Sequence, residues 1–231
     1  KIRGDIEVIK LDEETGERLQ GAEFALKQAG VVKHSGITDG SGKATFFGIE
    51  YGQYELVETS PPEGYNSNNT TYNVVINETS PSHQTVTIEN QIIKGNVKII
   101  KHDDSGQPLE GAKFGIYDTS SNLVKEKVSN GLGEIIFTGL PYGDYTLKEI
   151  EAPVSYFASS REESIQIVNH GETVEVVNPF MNTKIRGDIE VIKLDEETGE
   201  LLQGAEFALK QAGVVKHSGI TDGSGKATFF G

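Results

Sequence analysis

The sequence has 231 residues, which is enough for one to three ordinary domains. Its formal net charge of −14 is opposite in sign to the basic surface that nucleic-acid binding requires, and it also disfavours anionic membranes. The chain has no cysteine, so no disulfide can brace it. No run of about 18 apolar residues is present, so we expect no membrane insertion. We therefore expect neither a nucleic-acid partner nor a membrane partner.

An internal repeat organises the chain. Residues 1–48 recur as residues 184–231, with the single difference that Arg18 is replaced by Leu201. The block that precedes the second copy contains two related halves, since IEVIKLDEETGERLQGAEFAL in the first half matches VKIIKHDDSGQPLEGAKFGIY in the second. Repeats of this kind predict tandem structural modules.

The repeat predicts a first module over residues 1–93, a second over 94–183, and an incomplete third copy over 184–231. Within each module, short segments of alternating apolar and polar residues are separated by glycine-containing turns, and no segment has a helical period. These turns are Glu14-Thr15-Gly16, Asp39-Gly40-Ser41-Gly42, Asp104-Ser105-Gly106 and Asn130-Gly131. The pattern predicts an all-β fold of tandem Greek-key β-sandwiches with roughly seven strands each.

In the first module, three polar residues each end an apolar stripe. Side chains alternate between the two faces of a strand, so residues two apart share a face. The stripes, in chain order, are Ile6-Val8-Lys10, Tyr54-Leu56-Glu58 and Val86-Ile88-Asn90. We therefore expect Lys10, Glu58 and Asn90 to point towards the core.

The second module repeats this arrangement with Lys101, Glu149 and Asn178. Taken singly, a lysine or glutamate at a strand end usually points to solvent, and a buried Lys–Glu ion pair is a second structural interpretation. Neither interpretation explains why an asparagine joins the pair in both modules. The six placements in matching order therefore favour a chemical role.

A buried lysine, glutamate and asparagine can react with one another. Burial disfavours the charged forms of an amine and a carboxyl group, and a neutral amine is a nucleophile. Lys10 could then attack the carboxamide of Asn90 while Glu58 polarises it and carries protons. Ammonia would leave, and an amide would join the two side chains. Because the fold would hold the reactants together, geometry would supply much of the rate.

The sequence resembles the B-type repeat domains of Gram-positive collagen adhesins, called CnaB-like domains, which also occur in pilins. The matching stretches are VIKLD, LQGAEFAL, TDGSGKATF, YELVETSPPEGY and TIEN in the first module, and IIKHD, LEGAKFGIY, YTLKEIEAP and VVN in the second. The resemblance implies a prealbumin-like sandwich with a Lys–Asn isopeptide bond and a catalytic glutamate. The crosslinked pairs would be Lys10 with Asn90 and Lys101 with Asn178, and the catalytic residues would be Glu58 and Glu149.

Two departures from the pattern affect these expectations. Pro153-Val154-Ser155-Tyr156 lacks the glycine of Pro62-Glu63-Gly64-Tyr65, so the turn after Glu149 is expected to differ. The third copy carries Lys193 but no matching glutamate or asparagine, so Lys193 is expected to stay unpaired within this sequence.

Other motifs give weaker signals. Arg3-Gly4-Asp5 and its copy Arg186-Gly187-Asp188 match an integrin-binding tripeptide but lead into a strand, where a turn is the simpler interpretation. Gly40-Ser41-Gly42-Lys43 lacks the residues of a phosphate loop and is interpreted as a hairpin turn. The histidines have no metal-ligand spacing, and no nucleophile–His–acid set can be assembled. We expect no metal, no cofactor and no enzyme activity on an external substrate.

These observations favour a structural stalk segment of an extracellular, cell-surface adhesin or pilus, anchored to the cell wall through other segments. Its partners would be the neighbouring modules, with any host matrix ligand bound through other domains. Two alternatives stay open: a ligand-binding adhesin module and an accessory domain of a secreted hydrolase. The short linkers at Gln91–Gly95 and Pro179–Gly187 favour restricted bending and hence a stalk.

Overall fold

The computed structural model describes residues 1–231, and the chain forms two compact units. The first unit comprises Lys1–Pro153 with Ala158–Met181, and the second comprises Val154–Phe157 with Asn182–Gly231. The regular elements are β-strands throughout, which confirms the all-β fold class. The structure contains no helix long and apolar enough to cross a membrane.

The first module folds as two sheets. One sheet has the strand order β4-β1-β7, and the other has the order β3-β2-β5-β6. The first and last strands, β1 and β7, lie side by side and are parallel. The strands are β1 (Arg3–Asp12), β2 (Glu23–Gln28), β3 (Val31–Ile37), β4 (Lys43–Glu50), β5 (Gly52–Ser60), β6 (Tyr72–Ile76) and β7 (His83–Asn90).

The second module repeats this topology with one change. Its sheets have the orders β11-β8-β14 and β10-β9-β12-β13, and a short extra strand, β15, also pairs with β8. Two short strands thus replace the single long β7. The strands are β8 (Lys94–Asp103), β9 (Lys113–Tyr117), β10 (Leu123–Val128), β11 (Glu134–Pro141), β12 (Gly143–Glu151), β13 (Glu162–Ile167), β14 (Thr173–Glu175) and β15 (Phe180–Asn182).

Each module has its own hydrophobic core, formed by the inward-facing positions of its strands. In β1 the alternation is strict, because every second residue from Gly4 to Asp12 is buried and the residues between them are partly exposed. The first core includes Ile6, Val8, Phe24, Leu26, Leu56 and Ile88. The second includes Val97, Ile99, Phe114, Phe137, Leu147 and Phe180. These stripes carry Lys10 and Lys101 into the protein interior.

The Gly40-Ser41-Gly42-Lys43 segment is a tight turn, but it is not a hairpin. It connects β3 in one sheet with β4 in the other. The Asp39 side chain accepts hydrogen bonds from the backbone N–H groups of Ser41 and Lys43, at 2.9 and 3.1 Å. The segment therefore turns the chain from one sheet to the other.

The third copy forms the same local strand pairs in a more open setting. Strand β16 (Ile189–Ile192) pairs with β19 (Lys226–Phe229), and β17 (Glu206–Gln211) pairs with β18 (Val214–Ile220). The exposed fraction of Ile189 is 45%, against 0% for the matching Ile6. Residues 184–231 repeat the local pairing of β1 to β4, and several of their apolar side chains are more exposed than the matching ones in the first module.

Candidate self-crosslinking site

The site in the first module takes its side chains from both sheets. Lys10 lies on β1 and faces the neighbouring strand β7, where its register partner is Ile88 and Asn90 follows two residues later. Glu58 comes from β5 in the opposite sheet. All three side chains reach the same end of the core because each continues an inward-facing stripe of its strand.

The three side chains are in direct contact. The Lys10 Nζ donates a hydrogen bond to Asn90 Oδ1 at 2.6 Å and to the Ile88 carbonyl at 3.2 Å. The Asn90 Nδ2 donates to both carboxylate oxygens of Glu58, each at 3.0 Å. Lys10 Nζ lies 3.5 Å from Glu58 Oε1, and the side chains of Lys10 and Glu58 are 0% and 2% exposed. The predicted grouping of Lys10, Glu58 and Asn90 is therefore observed in the structure.

A loop after β5 fixes the glutamate from its other side. The backbone N–H of Asn68 donates to Glu58 Oε2 at 2.7 Å. The Asn68 side chain in turn donates to the Glu89 carbonyl at 2.9 Å, next to Asn90. Asn68 thus holds the carboxylate against the last strand. The apolar stripes did not indicate this residue, since it lies in a loop.

Burial shifts the protonation equilibrium of Lys10 towards the neutral amine. Desolvation lowers the pKa of Lys10 from its usual value, and the nearby Glu58 carboxylate offsets part of that shift. A lowered pKa increases the fraction of neutral amine, which is the form that can act as a nucleophile. Geometry and desolvation therefore both favour reaction at this lysine.

An aspartate and a tyrosine next to the site were missed by the sequence reasoning. Asp12 continues the inward stripe of Lys10 and is 4% exposed. It accepts a hydrogen bond from the Tyr65 hydroxyl at 2.8 Å. Burial, together with this bond, raises the pKa of Tyr65 to about 12. The period-two pattern that identified Lys10 could have indicated Asp12, since it lies two residues further along the same face.

The second module buries a lysine and a glutamate in the same way. Lys101 is 0% exposed and Glu149 is 8% exposed. Lys101 Nζ donates to the Phe180 carbonyl at 3.1 Å, and Glu149 Oε2 accepts a hydrogen bond from the Ser159 N–H at 2.6 Å. Desolvation lowers the pKa of Lys101 to about 8, although Glu149 and Asp103 act in the opposite direction. Lys101 and Glu149 therefore lie where the sequence predicted.

Asn178 does not lie where the pattern of the sequence predicts. It is exposed, it lies in a bend between β14 and β15, and its backbone carbonyl accepts a hydrogen bond from Arg161. The chain leaves the strand after Glu175 and resumes it only at Phe180. The expectation that Asn178 ends an inward-facing stripe is therefore wrong, because the strand is interrupted before this residue.

Comparison with known proteins places this architecture in a family. A family model described as the SpaA prealbumin-like fold domain matches residues 4–92 and 95–179. The chain belongs to this family. The trypsin-resistant surface T6 protein of Streptococcus pyogenes serotype M6 is 30% identical over 52% of the chain and 24% of its own length. The collagen adhesin of Staphylococcus aureus is 37% identical over 28% of the chain and 6% of its own length.

A solved structure agrees along the entire chain. The Bacillus anthracis TIE protein is 27% identical and superimposes with a TM-score of 0.86 over 100% of this chain and 43% of its own chain. The curated relatives and this structure are all much longer than the parts that match. These findings confirm the CnaB-like, prealbumin-like domains of Gram-positive adhesins and pilins that the sequence predicted.

The two CnaB-like modules share a turn despite their different sequences. Gly64 in the first module has a φ of 83°, and Ser155 takes its place in the second with a φ of 74°. The carbonyl of each accepts a hydrogen bond at 2.8 Å, from Ile93 in the first case and Ile185 in the second. The expected difference at this turn is therefore wrong, since serine adopts the left-handed conformation that glycine adopts more readily.

The lysine of the third CnaB-like copy is exposed. The backbone N–H of Lys193 donates to the Gly225 carbonyl at 2.8 Å, as that of Lys10 does to Gly42 at the same distance. The local strand pairing is thus the same. Lys193 is nevertheless exposed, whereas Lys10 is buried.

The first Arg-Gly-Asp tripeptide is part of the sandwich. Arg3 and Gly4 pair with β4, and Asp5 pairs with β7. The Asp5 side chain accepts a hydrogen bond from the Gly48 N–H at 2.8 Å, and Arg3 forms an ion pair with Glu50. A paired strand does not present these residues as a protruding loop does, which favours the structural interpretation of this motif.

Proposed function

We propose that the chain is a spacer segment of an extracellular Gram-positive adhesin or pilus whose first module crosslinks itself through Lys10 and Asn90. The proposal rests on the contact between the buried Lys10 amine and the Asn90 carboxamide. The nitrogen that would leave, Asn90 Nδ2, donates a hydrogen bond to Glu58. The proposed reaction forms a bond between Lys10 Nζ and Asn90 Cγ and breaks the bond between Cγ and Nδ2. Glu58 passes a proton from the attacking amine to the leaving nitrogen, and ammonia departs.

The position of the proposed bond suits a load-bearing role. Lys10 lies on the first strand and Asn90 ends the last strand, and these strands are parallel neighbours. Tension applied at the two ends of the module would pull β1 and β7 past each other in shear. A covalent bond between them would transmit this tension directly and leave residues 11–89 unloaded. In a chain without cysteines, this amide would provide the covalent stabilisation that disulfides provide in many secreted proteins.

Contacts at the junction of the first two modules also support a spacer role. Lys94 forms an ion pair with Glu14 at 2.6 Å, and Tyr142 donates a hydrogen bond to Glu63 at 3.0 Å. A Cβ added to Gly64 would lie 2.9 Å from the Tyr142 ring. The junction is thus held by charged, polar and close-packed contacts, which restrict bending between the modules. Ligand contacts and cell-wall anchoring are assigned to other parts of the protein.

Intact mass of the denatured protein tests the proposal. Wild-type protein should have lost one ammonia from the first module, and Glu58→Ala should retain it. Lys193→Ala is the matched control, because Lys193 has the same sequence neighbours as Lys10 but is exposed; its only mass change should be that of the substitution. Folded wild-type protein with its full unmodified mass would overturn the proposal.

The competing adhesin function predicts a different result. Saturable binding to immobilised host matrix proteins that is lost in Asp5→Ala with Asp188→Ala would favour it. Because Asp5 bonds to the Gly48 backbone, the folded state of this variant must be verified by circular dichroism before a loss of binding is interpreted.

A further inference from the structure

We propose that Asn182, rather than Asn178, is the residue that Lys101 crosslinks in the second module. The inference rests on the proposed self-crosslinking function and identifies the missing partner of its second site. Three features of the structure, each independent of the others, determine which residue of the second module corresponds to Asn90.

The first feature is the lysine contact. In the first module, Lys10 Nζ donates to the carbonyl of Ile88 at 3.2 Å, and Asn90 follows two residues later. In the second module, Lys101 Nζ donates to the carbonyl of Phe180 at 3.1 Å. Phe180 therefore corresponds to Ile88. The residue two positions after Phe180 is Asn182.

The second feature is the turn that follows the last strand. The N–H of Asn66 donates to the carbonyl of Gln91 at 2.9 Å, and the N–H of Phe157 donates to the carbonyl of Thr183 at the same distance. Thr183 therefore corresponds to Gln91, the residue directly after Asn90. The residue directly before Thr183 is again Asn182.

The third feature is the strand register, which explains why the sequence pointed to Asn178. Thr85 pairs with Glu7 in the first module, and Glu175 pairs with the matching Lys98 in the second. Two residues separate Thr85 from Ile88, whereas the four residues 176–179 separate Glu175 from Phe180. The longer connection in the second module places Asn178 outside the ladder and delays the inward-facing asparagine to position 182.

Burial agrees with this assignment. Asn182 is 1% exposed and Asn90 is 2% exposed, whereas Asn178 is exposed. A desolvated amine reacts with a carboxamide only if that group is also inside the protein. In the proposed step a bond forms between Lys101 Nζ and Asn182 Cγ, and Nδ2 leaves as ammonia. Glu149 is assigned the proton transfer, as Glu58 is in the first module.

Peptide mapping of the wild-type protein tests the assignment without any substitution. A crosslink at Lys101 blocks trypsin there, so the segment Ile99–Lys113 should be joined to Glu162–Lys184, which contains both candidates, Asn178 and Asn182. Fragmentation at the bond before Pro179 separates the two candidates. The lysine-containing branch should be found on the fragment that begins at Pro179. A branch on the fragment that ends at Asn178 would overturn the inference.

Two matched variants give an independent readout. Asn182→Ala should regain one ammonia in the intact mass, whereas Asn178→Ala should lose the same two as the wild type. Asn182→Asp covers the case in which alanine prevents folding, because an aspartic acid can form the same amide with loss of water in place of ammonia.

The outcomes distinguish this inference from the proposed function. A Lys10–Asn90 crosslink together with an unlinked Lys101 would overturn the Asn182 assignment alone. The absence of a crosslink from both modules of folded protein would overturn the proposed function and this inference together.

Discussion

Replacing Glu58 with glutamine should remove most of the stability that the proposed crosslink adds to the first module. Glutamine has nearly the same shape and can still accept a hydrogen bond from Asn90, but it cannot carry a proton from Lys10 to the leaving nitrogen. The crosslink should therefore not form. The module would then keep its packing and lose the covalent constraint on its unfolded chain.

The magnitude follows from the length of the closed loop. Lys10 and Asn90 are 80 residues apart, and the chain-entropy relation used for disulfides gives about 4.5 kcal/mol for a loop of this length. For a domain of this size, that free energy corresponds to a fall in the unfolding temperature of roughly 20 to 35 °C. The variant would also leave the free amine of Lys10 buried without a carboxylate partner, which adds to this loss.

Differential scanning calorimetry, with intact mass measured on the same samples, provides the assay. The transition of the first module should shift in Glu58→Gln, and that of the second module should stay in place. Glu55→Gln is the control, because it makes the same charge change on the same strand at an exposed position. A Glu58→Gln protein that is free of the crosslink but melts within ~10 °C of wild type would refute the loop-entropy reasoning.

Two further predictions concern the pH dependence of the reaction and the junction between modules. The pKa of Lys101 is lowered to about 8, so the second module should lose its ammonia faster as the pH is raised through this value. Unreacted chain recovered in denaturant would be refolded at several pH values and the reaction followed by intact mass. Equal rates well below and well above this pH would contradict the neutral-amine mechanism. Gly64→Ala should lower the denaturant midpoint of unfolding more than Gly16→Ala does. Both residues have a positive φ, but only a Cβ at position 64 would meet Tyr142. Equal falls in the midpoint would mean that this contact does not hold the junction.

The sequence was sufficient to predict the fold and the positions of the three side chains at the proposed first site. The period-two pattern of β1 assigned Lys10 to the inner face, and the structure buries it there. Lys10, Glu58 and Asn90 come from strands far apart in the chain, yet each could be placed because an inward stripe runs without interruption up to it. Where alternation is unbroken, the face of a residue follows from its position in the strand.

In the second module the period-two pattern of the sequence misplaces the asparagine, for a physical reason. The alternation Val174-Val176-Asn178 looks continuous in sequence, but the strand ends at Glu175. The interruption between Glu175 and Phe180 shifts the register of the residues that follow it, and the period-two pattern carries no sign of it. Asn68 and Ser159 were missed for a related reason: they act through backbone N–H groups in loops, which carry no side-chain signature.

The near-identical copies separate what the local sequence specifies from what the surrounding strands add. Residues 1–48 and 184–231 form the same strand pairs, so local sequence is sufficient to specify that pairing. In the first copy, β5 and β7 pack over the lysine, so that Lys10 is desolvated and placed against the Asn90 carboxamide, whereas Lys193 is exposed. The proposed reactivity of Lys10 therefore depends on the strands packed over it and not on the IEVIKLD motif alone. A crosslink of this kind would form only after the last strand has docked, so a folding module would be locked only in its native register.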